Sequence, residues 1–437
     1  MNILLDAYLD HNFGDDLFVT ILTARYPEDR FFIFTTHCPP HEQAWALSIS
    51  NLLVVPEDDA YLSSGMFDAY IMVGGDMLPD MERFHGDYRW RIRYQQSVRD
   101  AGGYVGLLGF NLYEEYGEKS RKEICEMLRL ADEIVPRDTA SLQMLLTLSQ
   151  EAGTTGVIRQ GGDMAFTLYD MLRGNFKDTT KKQNVLGISI RRKLFVSDEE
   201  NVQYEENMAA LAEAYLRNNP ASKVKLLALS TGAFDDRIEA REIIEKLSPE
   251  VKKRTEISAY EGDVAFFIRE MQQCSAIIAT RFHALVFSIL LGIPLIPVPY
   301  EVKIDYLLED IGYNGMKIPY AEKLAKPDDV LAELQGVQYD EEKLLTVVRN
   351  AQTIFQGFDT WRAKEKNKPA RKNQSMTVPV ESSMEKELKK TRGKLEVVLE
   401  SIGHIEASGI YRFAGRFYQL KNRKKDPLQE ILNQKEM

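Results

Sequence analysis

Short runs of Ile, Leu, Val and Phe alternate along the chain with longer stretches whose apolar residues recur three and four positions apart. The short runs predict strands over residues 2–9, 30–36, 51–55, 69–74, 103–110 and 132–136, and the longer ones predict helices over 15–26, 89–101, 119–130 and 139–150. Strands that alternate with helices build a parallel sheet with crossover helices, so residues 1–175 are expected to form an N-terminal Rossmann-like domain. The polar stretch RGNFKDTTKKQ then breaks the pattern and reads as an interdomain connection. A second alternation follows, with strands over 184–190, 223–229, 254–259, 275–279 and 294–298 and helices over 204–217, 235–247, 263–272 and 282–291. Residues 183–336 are therefore expected to form a second Rossmann-like domain, and two such halves leave a cleft beyond the carboxyl ends of their strands. A helical pattern over 341–358 lies in a segment, 337–361, expected to pack back across the domains.

The most apolar run is ATRFHALVFSILLGIPLIPVPYEVK, residues 279–303, long enough to suggest a membrane span. Gly292 with Pro294, Pro297 and Pro299 divides it into a short buried helix and a short strand. Past Trp361 the large apolar residues disappear, which predicts a flexible linker over 362–383. A helical tail is expected over 384–437, where Tyr411, Phe413, Phe417 and Tyr418 interleave with Arg412, Arg416, Lys421, Arg423 and Lys425. Such a helix suits an anionic membrane surface, and a partner-binding or solvated helix is the alternative.

Composition narrows the classes. With 437 residues, 44% of them hydrophobic and 28% charged, the chain has the make-up of a soluble protein with more than one core. A formal charge of -11 argues against a nucleic-acid partner. Cys38, Cys125 and Cys274 are odd in number and far apart, as in a reducing compartment, and MNILLDAYL lacks the basic start of a signal peptide. A cytoplasmic location is expected, with the tail offering peripheral attachment to the inner face of the membrane.

Candidate chemistry lies at strand ends. Thr280 reads as the N-cap of the helix after ATRFHA, which would put Arg281, Phe282 and His283 in a first turn suited to phosphate or carboxylate; the alternative is Arg281 paired with a structural carboxylate and His283 merely packed. GISIRR ends the second domain's first strand with two arginines, of which alternation favours Arg191 for the cleft, a surface ion pair being the alternative. In HNFGDD, Asn12 offers amide hydrogen bonds, Gly14 permits a sharp turn, and Asp15 or Asp16 caps the helix or serves as a base. This loop is not GxGxxG, which disfavours a nicotinamide cofactor. Gly74 and Gly75 in VGGDML let backbone approach a ligand or close a turn, and Arg137 in VPRDTAS reaches the cleft or pairs locally, with Asp138 or Thr139 as a cap. The dense arginines between Arg83 and Arg99 read as a solvated helix face before they read as an anion site. THCPPH holds His37, Cys38 and His41, but its prolines and the lack of a second ligand cluster argue against zinc, and no metal cage is legible. Neither GxSxG nor a P-loop is present.

In their order, HNFGDD, VGGDML, VPRDTAS, GGDMAF, GISIRR and the long apolar motif resemble the polysaccharide pyruvyl transferase family over roughly Met1 to Gly336. The resemblance implies a two-domain GT-B-like fold, with residues 1–175 on the acceptor side and 183–336 on the donor side, and transfer of a pyruvyl group from phosphoenolpyruvate to a sugar of a cell-surface or exported polysaccharide. The acceptor would be a glycan or lipid-linked oligosaccharide, with no cofactor. It implies that His283 and Arg281 lie in the donor pocket, that Arg191 is the family's strand-end arginine, and that Lys303 takes the cationic position after the Pro-rich strand. Asp15 or another loop carboxylate is the expected acceptor of the hydroxyl proton, by placement alone, and His283 is expected to protonate or stabilise the leaving phosphate. Asp76 stands where the family commonly continues with glycine. A nucleotide-sugar glycosyltransferase and a non-catalytic scaffold in a glycan-assembly complex remain the alternatives.

Overall fold

The computed structural model describes residues 1–175, 184–192, 196–334 and 338–366. Most of the interdomain connection, the linker beyond residue 366 and the basic aromatic tail lie outside the described residues.

Two parallel sheets form the molecule's frame. The first contains β1 (Asn2–Ala7), β2 (Arg30–Phe34), β3 (Leu52–Val55), β4 (Ala69–Val73), β5 (Tyr104–Phe110), β6 (Glu133–Pro136) and β7 (Val157–Ile158), in the order 3-2-1-4-5-6-7. The second contains β8 (Val185–Ser189), β9 (Lys223–Ala228), β10 (Thr255–Ala259), β11 (Ala276–Ala279) and β12 (Leu295–Pro297), in the order 10-9-8-11-12. The central strands β4, β8 and β11 are buried on both faces, which is why they read as continuous apolar runs. In each sheet the winding reverses beside its first strand: β2 and β4 flank β1, and β9 and β11 flank β8. These reversals open a crevice at the strands' carboxyl ends, and the loops leaving β1, β4, β8 and β11 run into it.

The first helix joins the two lobes. It spans Phe13–Arg25 and is capped by Asn12, whose side chain accepts from the Gly14 amide at 3.0 Å, so neither Asp15 nor Asp16 is the cap. Phe13 is fully buried in the second lobe's core, with ring contacts to Tyr260, Phe267 and Phe287, and its amide donates to the Leu229 carbonyl at 2.9 Å.

Other differences from the expected elements have local causes. Thr280 does not cap the helix Phe282–Leu290: Arg281 occupies the N-cap position, and the Thr280 hydroxyl lies 3.0 Å from that of Tyr204. Gly292 ends the apolar helix region at φ 61°, as its place before the prolines predicts. The helices Pro40–Ser48 and Asp59–Ser63 and the strand Val157–Ile158 are too short or too polar to show a period. The helical stretch over 341–358 is two helices, Glu341–Gln352 and Gln356–Lys366. Residues 362–366 are therefore helix, not linker: Arg362 Nε lies 2.6 Å from Asp29 and Lys366 Nζ 2.8 Å from Glu28, while Phe358 is fully buried. Among the described residues no helix is long and apolar enough to cross a membrane.

Candidate functional site

A cavity of about 210 Å³ lies where the carboxyl ends of the two sheets meet. The first lobe contributes Asn12 and Asp15 after β1, Gly75 and Asp76 after β4, and Arg137 after β6. The second contributes Arg191 after β8, Arg281 and His283 after β11, and Lys303 after β12. Residues distant in sequence thus share one wall because each follows a strand that ends at the same crevice.

His283 sits in the first turn of its helix with its ring edge against Phe18, at 5.1 Å between centroids. Its Nε2 lies 3.7 Å from Asp163 Oδ2, close enough for charge attraction but too long for a direct hydrogen bond. A side chain on Gly14 would collide with the imidazole, a Cβ there falling 1.8 Å from Nδ1; the glycine matters for close approach rather than for backbone freedom. Arg137 is treated the same way by Gly75, whose Cβ would fall 1.9 Å from Nη1. The Arg137 guanidinium stacks on Phe282 at 4.2 Å, donates to Asn111 Oδ1 at 2.8 Å and lies 3.6 Å from Asp163. Burial pushes the Asp163 carboxyl up, but the neighbouring His283 and Arg137 outweigh it and hold the group below its usual range. Asp15 is raised to about 6 because burial outweighs the pull of His283, Lys303 and Arg137.

The three cations assigned to the donor differ in how freely they carry their charge. Arg191 stacks over Phe234 at 5.2 Å and has no carboxylate within 4.0 Å among the described residues; its buried Nε lacks a hydrogen-bond partner. Arg192 instead leaves the cavity and pairs with Asp198 at 2.7 Å. Arg281 lines the cavity but is bound to Asp236, Nε lying 2.9 Å from Oδ2, so the structural pairing considered for it is present. Burial alone would lower Arg281 and raise Asp236; their attraction leaves the guanidinium above its ordinary value. Lys303 reaches across the lobes to Asp76 at 3.3 Å and also pairs with Glu301. Burial disfavours its charge, but Asp76, Tyr300 and Glu301 more than compensate and hold the ammonium well above its usual value. Asp76, the departure from the family's glycine, is in turn pushed up by burial but held below its usual range by Lys303 and Tyr113.

Gly74 is not in the cavity wall: at φ 145° it lies under the Met77 side chain. The arginines between Arg83 and Arg99 are tied to carboxylates, among them Arg91 to Asp6 at 2.7 Å and Arg93 to Asp59 at 2.8 Å. His37 stacks on Trp90 at 4.0 Å, Cys38 is buried, and His41 pairs with Asp10 at 3.1 Å, so these three do not converge. Sequence reading gave no role to Asp163, although it lies inside the quoted GGDMAF, and none to Tyr8, Asp10 or Tyr300, which also line the cavity.

Two parallel-sheet lobes around such a crevice define the GT-B class, and solved structures agree with that fold. UDP-GlcNAc 2-epimerase from Neisseria meningitidis bound to UDP-GlcNAc matches with TM-score 0.52 and 10% identity, over 83% of this chain and 100% of that one. UDP-GlcNAc 2-epimerase from Methanocaldococcus jannaschii matches with TM-score 0.52 and 9% identity, over 82% and 99%. No curated protein sequence matches the chain. The family model described as Polysaccharide pyruvyl transferase matches residues 12–302, more than half of the 437 residues, and the chain belongs to that family.

Proposed function

We propose that the protein transfers a pyruvyl group from phosphoenolpyruvate to a sugar of a cell-surface or exported glycan, forming a ketal and releasing inorganic phosphate. One observation carries the reading: Arg137, Arg191 and His283 converge on one cavity at the lobe junction, together with the paired Arg281 and Lys303. A donor with a phosphate and a carboxylate on adjacent atoms needs such a convergence. The Arg191 guanidinium, stacked on Phe234 and without a carboxylate partner among the described residues, suits the donor carboxylate. His283 and Arg137 suit the phosphate. Lys303 keeps a third N–H for the donor after its two carboxylate contacts, and Arg281 orients the loop through Asp236.

In the proposed reaction a proton from solvent adds to the donor methylene while the first sugar hydroxyl bonds to C2 and gives its proton to Asp15, which returns it to solvent, so these two transfers cancel. The bond from C2 to the phosphate oxygen then breaks, its electron pair leaves with phosphate, and His283 protonates the departing oxygen. A second hydroxyl bonds to C2, and its proton restores His283. The product is the ketal plus inorganic phosphate.

The test is phosphate release from phosphoenolpyruvate in the presence of a lipid-linked glycan fraction. Release should require both components and fall by roughly 10²–10⁴-fold in His283→Ala, the range for loss of a proton-transfer group. Binding of uridine diphosphate with no response to phosphoenolpyruvate would overturn the proposal in favour of nucleotide-sugar transfer. Intact glycan assembly with both His283 and Arg281 replaced would favour the scaffold.

A further inference from the structure

Beside the cavity, and separate from its anion-facing wall, a second group of side chains converges. His11 lies in the loop after β1, Asp16 in the first turn of Phe13–Arg25, and Glu42 in the first turn of Pro40–Ser48. One ligand atom from each falls within 4.8 Å of the others. Both carboxylates are completely buried, and among the described residues neither has a Lys or Arg partner within 4.0 Å. Among the described residues, three buried atoms in this group, His11 Nδ1, Asp16 Oδ1 and Glu42 Oε2, have no hydrogen-bond partner.

The remaining atoms are held in the manner of a ligand shell. His11 Nε2 lies 2.9 Å from the His41 carbonyl oxygen, which places the proton on Nε2 and leaves a lone pair on Nδ1. Asp16 Oδ2 accepts from the Tyr260 hydroxyl at 2.7 Å, and Glu42 Oε1 accepts from the His11 amide. His11 itself is held at φ 44°, an uncommon backbone for a non-glycine residue, between that carboxylate and the Thr231 amide, which donates to its carbonyl at 3.0 Å. One proton on His11 Nδ1, which lies 3.3 Å from Glu42 Oε1, would still leave Glu42 Oε2 and Asp16 Oδ1 bare. A divalent cation satisfies all three atoms, and its charge balances both carboxylates.

We propose that His11, Asp16 and Glu42 bind one divalent transition-metal ion of the zinc class. An imidazole with two carboxylates suits Zn²⁺ better than Mg²⁺, which prefers oxygen alone. Bonds of roughly 2.0–2.2 Å would draw the three atoms together by small side-chain torsions. The ion pins the HNFGDD loop, from which Asn12 and Asp15 reach the cavity, so its role is to hold that wall in place. THCPPH then contributes through its neighbour Glu42 and the carbonyl of His41, not through its own histidines or cysteine.

The experiment uses the full chain, stripped with a chelator and titrated with Zn²⁺ by calorimetry in the absence of phosphoenolpyruvate and glycan, so failure of the pyruvyl reading leaves its outcome intact. One equivalent is expected, with a rise in Tm on binding and much weaker binding of Mg²⁺. His11→Ala and Glu42→Gln should lose about 10–100-fold or more in Zn²⁺ affinity. His11 is the partly exposed member, at 21% for its side chain, so that variant keeps the test decisive if Glu42→Gln fails to fold. Stoichiometry well below one, unchanged affinity in folded His11→Ala, or equal binding of Mg²⁺ would each overturn the assignment.

Discussion

At Gly14 the functional site leaves no room for a methyl group. The nearest atoms to an added Cβ belong to the His283 ring, whose edge packs against Phe18. Gly14→Ala should therefore displace the imidazole at a stability cost of about 1–3 kcal/mol, the range for overpacking. The predicted signature is a fall in phosphate release far larger than that cost explains, read beside a urea melt; an alanine variant with unchanged turnover would refute it. The motif RFHAL draws attention to His283 on sequence alone. The glycine that admits its ring lies 269 positions away, from 283 − 14, and only the fold brings them together. Arg281 shows the reverse limit: its residue type suggests an anion contact, while the Asp236 that occupies it sits 45 residues earlier on another helix. Asp163 was legible as part of a motif and invisible as a partner, since the groups that hold its carboxyl below its usual range against burial, His283 and Arg137, come from a helix and a loop distant in sequence.

Between helices, one contact carries a pH dependence that the residues alone do not announce. Asp198–Asn218 packs on Asp236–Glu245, and Glu205 and Glu239, at 4% and 2% exposure, face each other across that contact. Burial first, and then the Glu205 carboxylate, hold Glu239 well above the usual carboxylate range against the opposing pull of Arg192. A carboxyl raised on folding keeps a proton in the folded state that the unfolded chain has released. Its contribution to stability is therefore present below the unfolded value of 4.5 and declines as pH rises toward the folded one. Glu239→Gln should flatten that decline and raise Tm near pH 8, by at most the ~1.4 kcal/mol per pH unit that one such group allows. Melts from about pH 5 to about pH 8 decide the matter, and a variant no more stable than the parent at the alkaline end would count against it. Elements with a continuous apolar run or a clear apolar period were legible in advance, among them β4, β5 and the helix Thr139–Ala152. Pro40–Ser48 was not, because it buries only Glu42 and Ala46 and so shows no stripe. That same helix places Glu42 beside His11, which is why the proposed metal ligands could not be read from THCPPH.

Across the molecule, the two alternations in sequence suggest two separable domains, and the packing joins them. The second lobe's core includes Phe13, Leu17, Ala165, Phe166 and Leu172, all from segments before the interdomain connection. Polar contacts cross at separate points: Tyr260 to Asp16 at 2.7 Å, the Ala233 amide to Asp10 at 2.9 Å, the Thr139 amide to Asp310 at 3.0 Å, and Lys303 to Asp76 at 3.3 Å. Residues Met1–Pro369 accordingly form one compact unit. Unfolding either lobe alone would expose Phe13 and leave buried carboxylates without their partners, so partial unfolding loses the junction's contacts in addition to the lobe's own, which couples the two. Calorimetry should show one transition for this unit. Phe13→Ala removes a fully buried ring at the junction and should cost about 3–5 kcal/mol. If the lobes are coupled as the packing requires, this substitution lowers the single transition as a whole. If they fold independently, it lowers the second lobe's transition and leaves the first lobe's peak in place, and that split trace would refute the account of one cooperative body built around the cavity.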